Sequence, residues 1–193
     1  WQVDGIVLAA PRLSIEAIKA IAKPVVLINR DIAGVPRVLV DSTPGVGEAL
    51  THLRELGHRR VAYVGGPAGS WSAKLRRTAV TAAAANQGIK LDAIDPAAPS
   101  PYEAGRLAAR DIAKSPATAV LAYDDTVAQG VIAGLAAEGL VVPRAMSVIS
   151  CEEVMGAAAP TLTTIGSRMA DAGKVAVGLL IDALETAGLR DAS

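Results

Sequence analysis

The segment LRELGHRRVAYVGG, residues 53–66, contains the end of a helix, a complete strand and the loop that follows it. Val46, Leu50, Leu53 and Leu56 recur at three- or four-residue spacing, which predicts a helix with one buried stripe that ends at Gly57. The run 60–64 is short and nearly continuous in apolar character, as in a strand buried on both faces. A further helix begins near residue 71. This order of helix, strand, loop and helix is typical of an α/β fold with a parallel sheet.

The rest of the chain repeats the same alternation of short β-branched runs and longer Ala-rich segments. Apolar runs predict strands at Gly5–Ala9, Val25–Asn29, Val38–Val40, Arg60–Val64, Thr118–Ala122 and Met146–Ser150. Helical spacing predicts a stripe of Ile15, Ile18 and Ile21 and a helix from near Tyr102. It also predicts a helix that begins after Asp124-Asp125 and ends near Gly139, and one over Met169–Leu184. We therefore predict the α/β class.

The composition restricts the function. The 193 residues are 51% hydrophobic and include 19 Lys and Arg against 19 Asp and Glu. The apolar content suffices for a globular core. Domains that bind nucleic acid by themselves usually carry a strong basic excess. The zero formal net charge therefore argues against DNA binding by this segment itself.

Cysteine usage and hydropathy point to the cytoplasm. Cys151 is the only cysteine, and no group of Cys and His residues has the spacing of a zinc site. No apolar run approaches the roughly 20 residues that a membrane-spanning helix needs, and residues 1–4 do not resemble the start of a signal peptide. We expect a cytoplasmic protein with no membrane contact, no metal and no cofactor.

Carboxylates follow two of the predicted strands. Asp124 and Asp125 come after one strand, and Glu152 and Glu153 come after another. Such side chains converge on one edge of a parallel sheet, where they are able to accept hydrogen bonds from sugar hydroxyls, bind a metal or act as acid and base. One member of a pair often caps the next helix. We assign the cap to Asp125 and the binding edge to Asp124.

Basic residues begin the helix after the glycine-rich loop. Trp71 is followed by Lys74, Arg76 and Arg77, although basic residues near a helix N-terminus oppose the helix dipole unless they have a partner. Either a ligand or a carboxylate would be such a partner, and solvated surface charge is the alternative. The loop 64–70 matches neither a P-loop nor the dinucleotide fingerprint. His52 has no recognisable nucleophile beside it in a catalytic motif, so we do not expect an enzyme.

Several blocks together resemble one family of bacterial regulators. The first block is residues 53–66. The second begins at Ala122-Tyr123-Asp124-Asp125, includes the segment GLVVP at 139–143 and ends at residues 147–149. The others are residues 160–165, 3–8 and 28–31. In this order they are similar to the effector domains of the lactose/galactose repressor family. The resemblance covers nearly the whole chain.

The resemblance implies a type I periplasmic-binding-protein-like fold, in which two α/β lobes close over a ligand. Residues 38–166 would form an almost complete C-terminal lobe, and residues 1–37 and 167–193 would form an incomplete N-terminal lobe. A DNA-binding headpiece and the first elements of the N-terminal lobe would precede residue 1. The strand Gly5–Ala9 would then be an unpaired edge, which favours self-association.

The resemblance also implies which residues contact the effector. They are Arg76, Asp124 and Glu152, with Asn29 from the other lobe, while Trp71 or Tyr102 offers an apolar face to a sugar ring. The family dimer implies an interface at the helix around Val131, Ile132 and Leu135, although a buried core stripe explains these three residues almost as well.

The chain departs from the family pattern at two positions that matter for the ligand. It has Asp124-Asp125 where the family usually has Asn-Asp, and Ser150-Cys151-Glu152-Glu153 where the family usually has Gly, an aromatic residue and two Asp. If both acids are ionised, the site prefers a neutral polyol or a cationic ligand to an acidic one.

The function that the resemblance implies is that of an effector-sensing and dimerisation domain of a bacterial DNA-binding transcription repressor. We expect a small-molecule effector of the sugar class, DNA binding only through a headpiece outside this chain, and a homodimer. One alternative is a sugar-binding protein of a transport system. Another is a metal-dependent hydrolase that uses the acids at the strand ends.

Overall fold

A computed structural model describes residues 3–152, 162–166 and 168–191 of the chain. The chain divides into two compact units. The first comprises residues 1–41, 69–72 and 168–193, and the second comprises residues 42–68 and 73–167. Their interpretation as an incomplete N-terminal lobe, predicted at 1–37 and 167–193, and a C-terminal lobe, predicted at 38–166, stays a prediction.

The first unit has a three-stranded parallel sheet with helices on both faces. Its strands are β1 (Ile6–Ala9), β2 (Val25–Ile28) and β3 (Arg37–Val38), in the order β1-β2-β3. Val26 and Ile28 pack against Ala172 and Ala176 of helix α6 (Met169–Asp191). Leu27, which points to the opposite face, packs with Ile18 of α1 (Ile15–Lys19). This two-residue alternation is the strand periodicity that buries both faces of the sheet.

The second unit has a five-stranded sheet in which every described pairing is parallel. Its strands are β4 (Arg60–Val64), β5 (Lys90–Ile94), β6 (Ala119–Ala122), β7 (Ser147–Ser150) and β8 (Thr163–Thr164), in the order β5-β4-β6-β7-β8. The helices between them are α2 (Thr43–Glu55), α3 (Trp71–Asn86), α4 (Pro101–Lys114) and α5 (Asp125–Ala137). The predicted α/β class with parallel sheets flanked by helices is confirmed.

The core of the second unit lies on both sides of its sheet. Val61, Tyr63 and Leu121 pack under α2 and α3, together with Val46, Leu50, Leu53 and Val80. Ala62, Val120 and Val148 face the other way and pack under α4 and α5. Neighbouring strand residues therefore serve opposite layers, which explains why these strands are continuously apolar in sequence.

The structure corrects several element predictions. The short strands β5 and β8 were not predicted. The stripe of Ile15, Ile18 and Ile21 is not a core stripe, because only Ile18 is buried, Ile15 is 43% exposed and α1 ends before Ile21. Leu56, predicted to belong to the buried stripe of α2, is 61% exposed at the end of that helix. Gly57 follows with a φ of 93°, the left-handed conformation that commonly ends a helix.

The helix α5 does not carry the predicted dimer interface at two of its three residues. Val131 and Leu135 are completely buried within the chain, among the residues packed between α5, α4 and the sheet. A side chain with no exposed surface in the protomer has none to bury against a second copy, so the prediction is wrong for Val131 and Leu135. Ile132 is half-buried and its interface role stays a prediction.

Candidate binding site

The strand order predicts a ligand-binding edge at the carboxyl ends of β4 and β6. From β4 the chain passes through α3 to β5 on one side, and from β5 it passes through α4 to β6 on the other side. The order β5-β4-β6-β7-β8 is that of a flavodoxin-like sheet, in which ligands bind where the connections change direction. The segments beyond this edge are the glycine-rich loop after β4, Tyr123-Asp124 after β6 and Cys151-Glu152 after β7. Sequence-predicted site residues follow two of these three strands.

Arg76 lies at the centre of the described polar contacts at this edge. Although its side chain is only 5% exposed, Nη1 donates to the backbone oxygen of Tyr123 at 2.7 Å and Nη2 donates to Oε2 of Glu152 at 2.7 Å. The guanidinium carbon lies 4.5 Å from the centre of the Tyr123 ring, within cation–π range. Burial is the largest single influence and lowers the pKa of Arg76, but the charge and the hydrogen bond of Glu152, together with the nearby Cys151 and Tyr123, outweigh it, and the net pKa is raised. Arg76 is therefore a fixed cation.

Glu152 is held by its backbone as well as by Arg76. The hydroxyl of Ser150, which is fully buried, donates to the backbone oxygen of Glu152 at 2.7 Å and accepts from its N–H at 3.3 Å. The same backbone oxygen accepts from the N–H of Asp125 at 3.1 Å. The turn after β7 is thereby joined to the start of α5. Glu153 lies outside the described residues.

Asp124, not Asp125, caps helix α5. Asp124 has extended backbone geometry, and its Oδ1 accepts from the N–H of Val127 at 2.8 Å. Our assignment of the cap to Asp125 is therefore wrong: Asp125 is the first residue of the helix and is 3% exposed. Burial raises the pKa of Asp124, and the hydrogen bond from the Val127 N–H opposes this rise without cancelling it. Asp124 combines a cap with a carboxylate at the edge of the sheet.

Tyr123 is a site residue that the sequence reasoning missed. Its ring lies beside Arg76 and over Gly66, where an added Cβ would approach the ring atoms to 2.6 Å. Gly66 is the second of the two glycines after β4, and the close approach of the ring requires a glycine there. The available signal was the position of Tyr123, directly between a buried strand and Asp124.

The structure places Asn29 in the first unit, at the end of β2. Its φ is 53°, a left-handed conformation that Asn tolerates better than most residues. Its Oδ1 accepts from the N–H of Val40 at 2.9 Å, and its Nδ2 lies 3.6 Å from the sulfur of Met169. Both polar atoms of the side chain thus have contacts within the unit. Its predicted role as an effector contact stays a prediction.

The two predicted aromatic contacts differ in position. Trp71 is half-buried and is the first residue of α3. Tyr102 is 39% exposed and is the second residue of α4. Within the described residues, no hydrogen bond, ion pair or ring contact joins Tyr102 to Arg76 or Glu152. Their roles toward a sugar ring stay predictions.

The arrangement of potential metal ligands and of the cysteine bears on the alternative functions. No group of three or more His, Cys, Asp and Glu side chains among them is arranged to hold a metal ion. Cys151 is buried, and burial raises the pKa of its thiol to about 12, so it is protonated at neutral pH. In the same part of the chain, every helix is too short or too polar to cross a membrane.

The comparisons with known proteins agree with this architecture. Residues 50–192 match the family model described as periplasmic binding protein-like domain. The chain is 28% identical over 194 residues to the HTH-type transcriptional repressor CytR of Escherichia coli strain K12, with 95% of this chain and 57% of that protein covered. The chain thus spans little more than half the length of the curated relatives that it matches.

Solved structures of regulators match over most of the chain. A LacI family regulator from Enterococcus faecium, with bound ribose, superposes with a TM-score of 0.83 at 26% identity, over 95% of this chain and 72% of that one. A LacI regulator from a Rhodococcus species gives a TM-score of 0.86 at 25% identity, over 96% and 72%. The chain therefore belongs to the periplasmic binding protein-like domain family, and its resemblance to the lactose/galactose repressor family is confirmed.

Proposed function

We propose that the chain is the effector-sensing and dimerisation domain of a bacterial DNA-binding transcription repressor, and that its effector is a small molecule of the sugar class. The observation that carries the proposal is the cluster of Arg76, Glu152 and Asp124 at the edge of the five-stranded sheet where ligands bind in this topology. These are the three residues of the second unit that the family resemblance selects.

The chemistry of the cluster supports a polyhydroxylated ligand. Carboxylate oxygens accept hydrogen bonds from hydroxyl groups, and a buried carboxylate that loses its donor pays a large desolvation cost. A site of this kind therefore discriminates strongly between a sugar and an analogue without the hydroxyls. The Enterococcus faecium regulator, which has a similar fold, holds ribose.

A regulator is a better interpretation than the two alternatives. The relatives that match the chain are transcriptional regulators and not enzymes. The same relatives favour a cytoplasmic repressor over a transport protein. We assign DNA binding to a segment of the whole protein that lies outside the stretch shared with this chain. Effector binding would then change DNA affinity, and DNA would change effector affinity by the same factor.

A homodimer is part of the proposal. Of the three predicted interface residues, Ile132 alone retains exposed surface, so the interface must include other side chains. Sedimentation of the chain at several concentrations measures its oligomeric state. A monomer at all concentrations up to about 100 µM would contradict the dimerisation part, because an interface of standard size gives far tighter association.

A thermal-shift screen of the chain against sugars, polyols and nucleosides tests the sensor function. A ligand at about 100 times its Kd stabilises the native state by about 2.7 kcal/mol. For a domain of this size, each kcal/mol raises Tm by about 2–4 °C, so a shift of roughly 5–10 °C is expected. If no member of the three classes raises Tm, the proposed function is refuted.

Two neighbouring arginines on α3 provide a matched pair of variants. Arg76→Lys keeps the charge but loses the fork that joins Glu152 and the Tyr123 carbonyl. Arg77→Lys changes a half-exposed residue that pairs with Asp95. We expect Arg76→Lys to weaken ligand affinity at least tenfold and Arg77→Lys to leave it unchanged. Equal effects of the two variants on ligand affinity would contradict a role of Arg76 in the binding site.

A further inference from the structure

Arg76 has little capacity left to bind a ligand by donating hydrogen bonds. Nη1 and Nη2 each donate to a group of the chain, and Nε is buried without a partner among the described residues. The guanidinium is covered on one face by the Tyr123 ring. Both terminal nitrogens of Arg76, which the family resemblance implies as an effector contact, are therefore already used inside the chain, by Glu152 and the backbone of Tyr123.

The oxygens that remain available at this edge are acceptors. Within the described residues, Oδ1 of Asp124 accepts from Val127, and its Oδ2 has no hydrogen-bond partner. Glu152 uses Oε2 for Arg76, whereas its Oε1 has no partner in the same part of the chain. The two side chains are 8% and 16% exposed, so solvent reaches each of them only in part. A ligand at this edge must supply donors to both.

The local charge is negative after the ion pair is counted. Glu152 and Arg76 neutralise each other at 2.7 Å. Asp124 forms no ion pair with any described residue, and the next basic residue on α3, Arg77, is paired with Asp95. A cation bound at Asp124 would compensate this charge.

The cap does not explain why residue 124 is an acid. Asn and Ser cap helices about as well as Asp, because each offers one oxygen to the N–H groups of the first turn. Asp124 is only 8% exposed as a residue, and an ionised carboxylate in such a place has a desolvation cost that those neutral caps avoid. The charge is therefore a feature that capping does not require, and a cationic partner accounts for it.

We propose that the effector is an amino sugar, whose ammonium group binds the free oxygen of Asp124 and whose hydroxyl groups bind the free oxygen of Glu152. This inference rests on the proposed sensor function and names the substrate class of the same site. A charge-assisted hydrogen bond is about twice as strong as a neutral one. Exchange of the amine for a hydroxyl is expected to weaken binding about tenfold or more.

Matched sugar pairs test the inference by calorimetric titration of the 193-residue chain at about pH 6, where the amines are protonated. The pairs are glucosamine with glucose, galactosamine with galactose, and mannosamine with mannose, and the N-acetylated forms serve as neutral analogues of similar shape. For the pair that binds best, we expect the amine to bind at least tenfold more tightly than its parent sugar and its N-acetyl form.

Two variants locate the effect. Asp124→Asn keeps an oxygen for the Val127 N–H and removes only the charge, so it should abolish the preference for the amine while the fold is retained. Glu103→Gln removes a charge from an exposed pair with Arg106 on α4 and should leave the preference unchanged. Circular dichroism of each variant shows whether it is folded before its affinity is compared.

The outcomes separate the inference from the function on which it rests. If a neutral sugar binds as tightly as its amine, or if Asp124→Asn keeps the preference, the amino-sugar inference is overturned and the sensor function stands. If neither sugars nor amino sugars bind, and the wider screen of polyols and nucleosides is also negative, the amino-sugar inference and the sensor function are both refuted.

Discussion

The contact between α4 and α5 allows a prediction whose size follows from the coordinates. At Gly130 of α5, an added Cβ would lie 2.9 Å from the carbonyl carbon of Tyr102 and 3.0 Å from the backbone nitrogen of Arg106, and closer still to the Tyr102 oxygen. Ordinary contacts between such atoms lie near 3.5–4.0 Å. All three atoms belong to the backbone of α4, so no side-chain rotation relieves the overlap. Gly130→Ala therefore forces the two helices roughly 1 Å apart.

The expected cost is the balance of two effects. Overpacking of a well-packed core typically costs 1–3 kcal/mol, and the upper end, about 3 kcal/mol, applies where only backbone can move. Alanine regains about 1 kcal/mol as a better helix former than glycine. We expect Gly130→Ala to lower the free energy of unfolding by about 2 kcal/mol. Gly47→Ala in α2 is the matched control, because a Cβ there meets nothing within 4 Å, and it should raise that free energy by about 1 kcal/mol.

Urea denaturation followed by far-ultraviolet circular dichroism measures both changes. With a slope near 2 kcal/mol per molar urea, the midpoint should fall by about 1 M for Gly130→Ala and rise by about 0.5 M for Gly47→Ala. If Gly130→Ala is as stable as Gly47→Ala, the helices are not in backbone contact at this point, and the reasoning from the close approach is refuted.

Four further variants test polar groups. Because the buried hydroxyl of Tyr63 has no partner in the described structure, Tyr63→Phe should stabilise the chain by about 1 kcal/mol in urea, and a loss of stability would show a hydrogen bond there. Asp124→Ala should cost about 1 kcal/mol through loss of the cap to Val127. In contrast, burial raises the pKa of Asp124, so Asp124→Asn should be more stable than the unchanged chain at neutral pH. This gain in stability should vanish as the pH falls, because Asp124 then becomes protonated. Burial and the charge of His52 lower the pKa of His58, so folding favours its neutral form. The free energy of unfolding should therefore fall as the pH drops below about 6.5. His58→Gln should reduce this dependence when urea midpoints are compared across pH.

Continuous apolar runs located the central strands of both sheets. Arg60–Val64 is found with the predicted bounds, and Val25–Asn29 and Thr118–Ala122 differ by one residue at an end, because a continuous apolar run identifies a central parallel strand. The strand β5 was missed because it lies at the edge of the sheet and includes Lys90 and Asp92, which give it no apolar run. Asp92 instead pairs with Arg60 of the neighbouring strand at 2.7 Å, a cross-strand contact that one sequence does not reveal.

The candidate site was predictable in composition and not in its internal contacts. Strand ends place Asp124 and Glu152 on one edge, so their proximity follows from topology. The identity of the cap depends on where α5 begins, and a difference of one residue exchanged the roles of Asp124 and Asp125. Likewise, the sequence suggested a partner for Arg76 but did not distinguish a ligand from a carboxylate of the chain. That distinction depends on the distance between α3 and the turn after β7.

The same contacts explain why this polar cluster is better understood as a binding site than as a source of stability. A buried ion pair such as Arg76 with Glu152 contributes little net stability, because the cost of desolvating two charges is comparable to their attraction. The rest of the second unit is stabilised by apolar layers on both faces of its sheet, and these layers do not require the pair. What the pair does achieve is to fix Glu152 and the Tyr123 backbone in position before a ligand arrives, which reduces the entropy lost on binding. A cluster that adds little to stability, that lies at the ligand-binding edge of its fold and that leaves two acceptor oxygens open is therefore arranged for recognition.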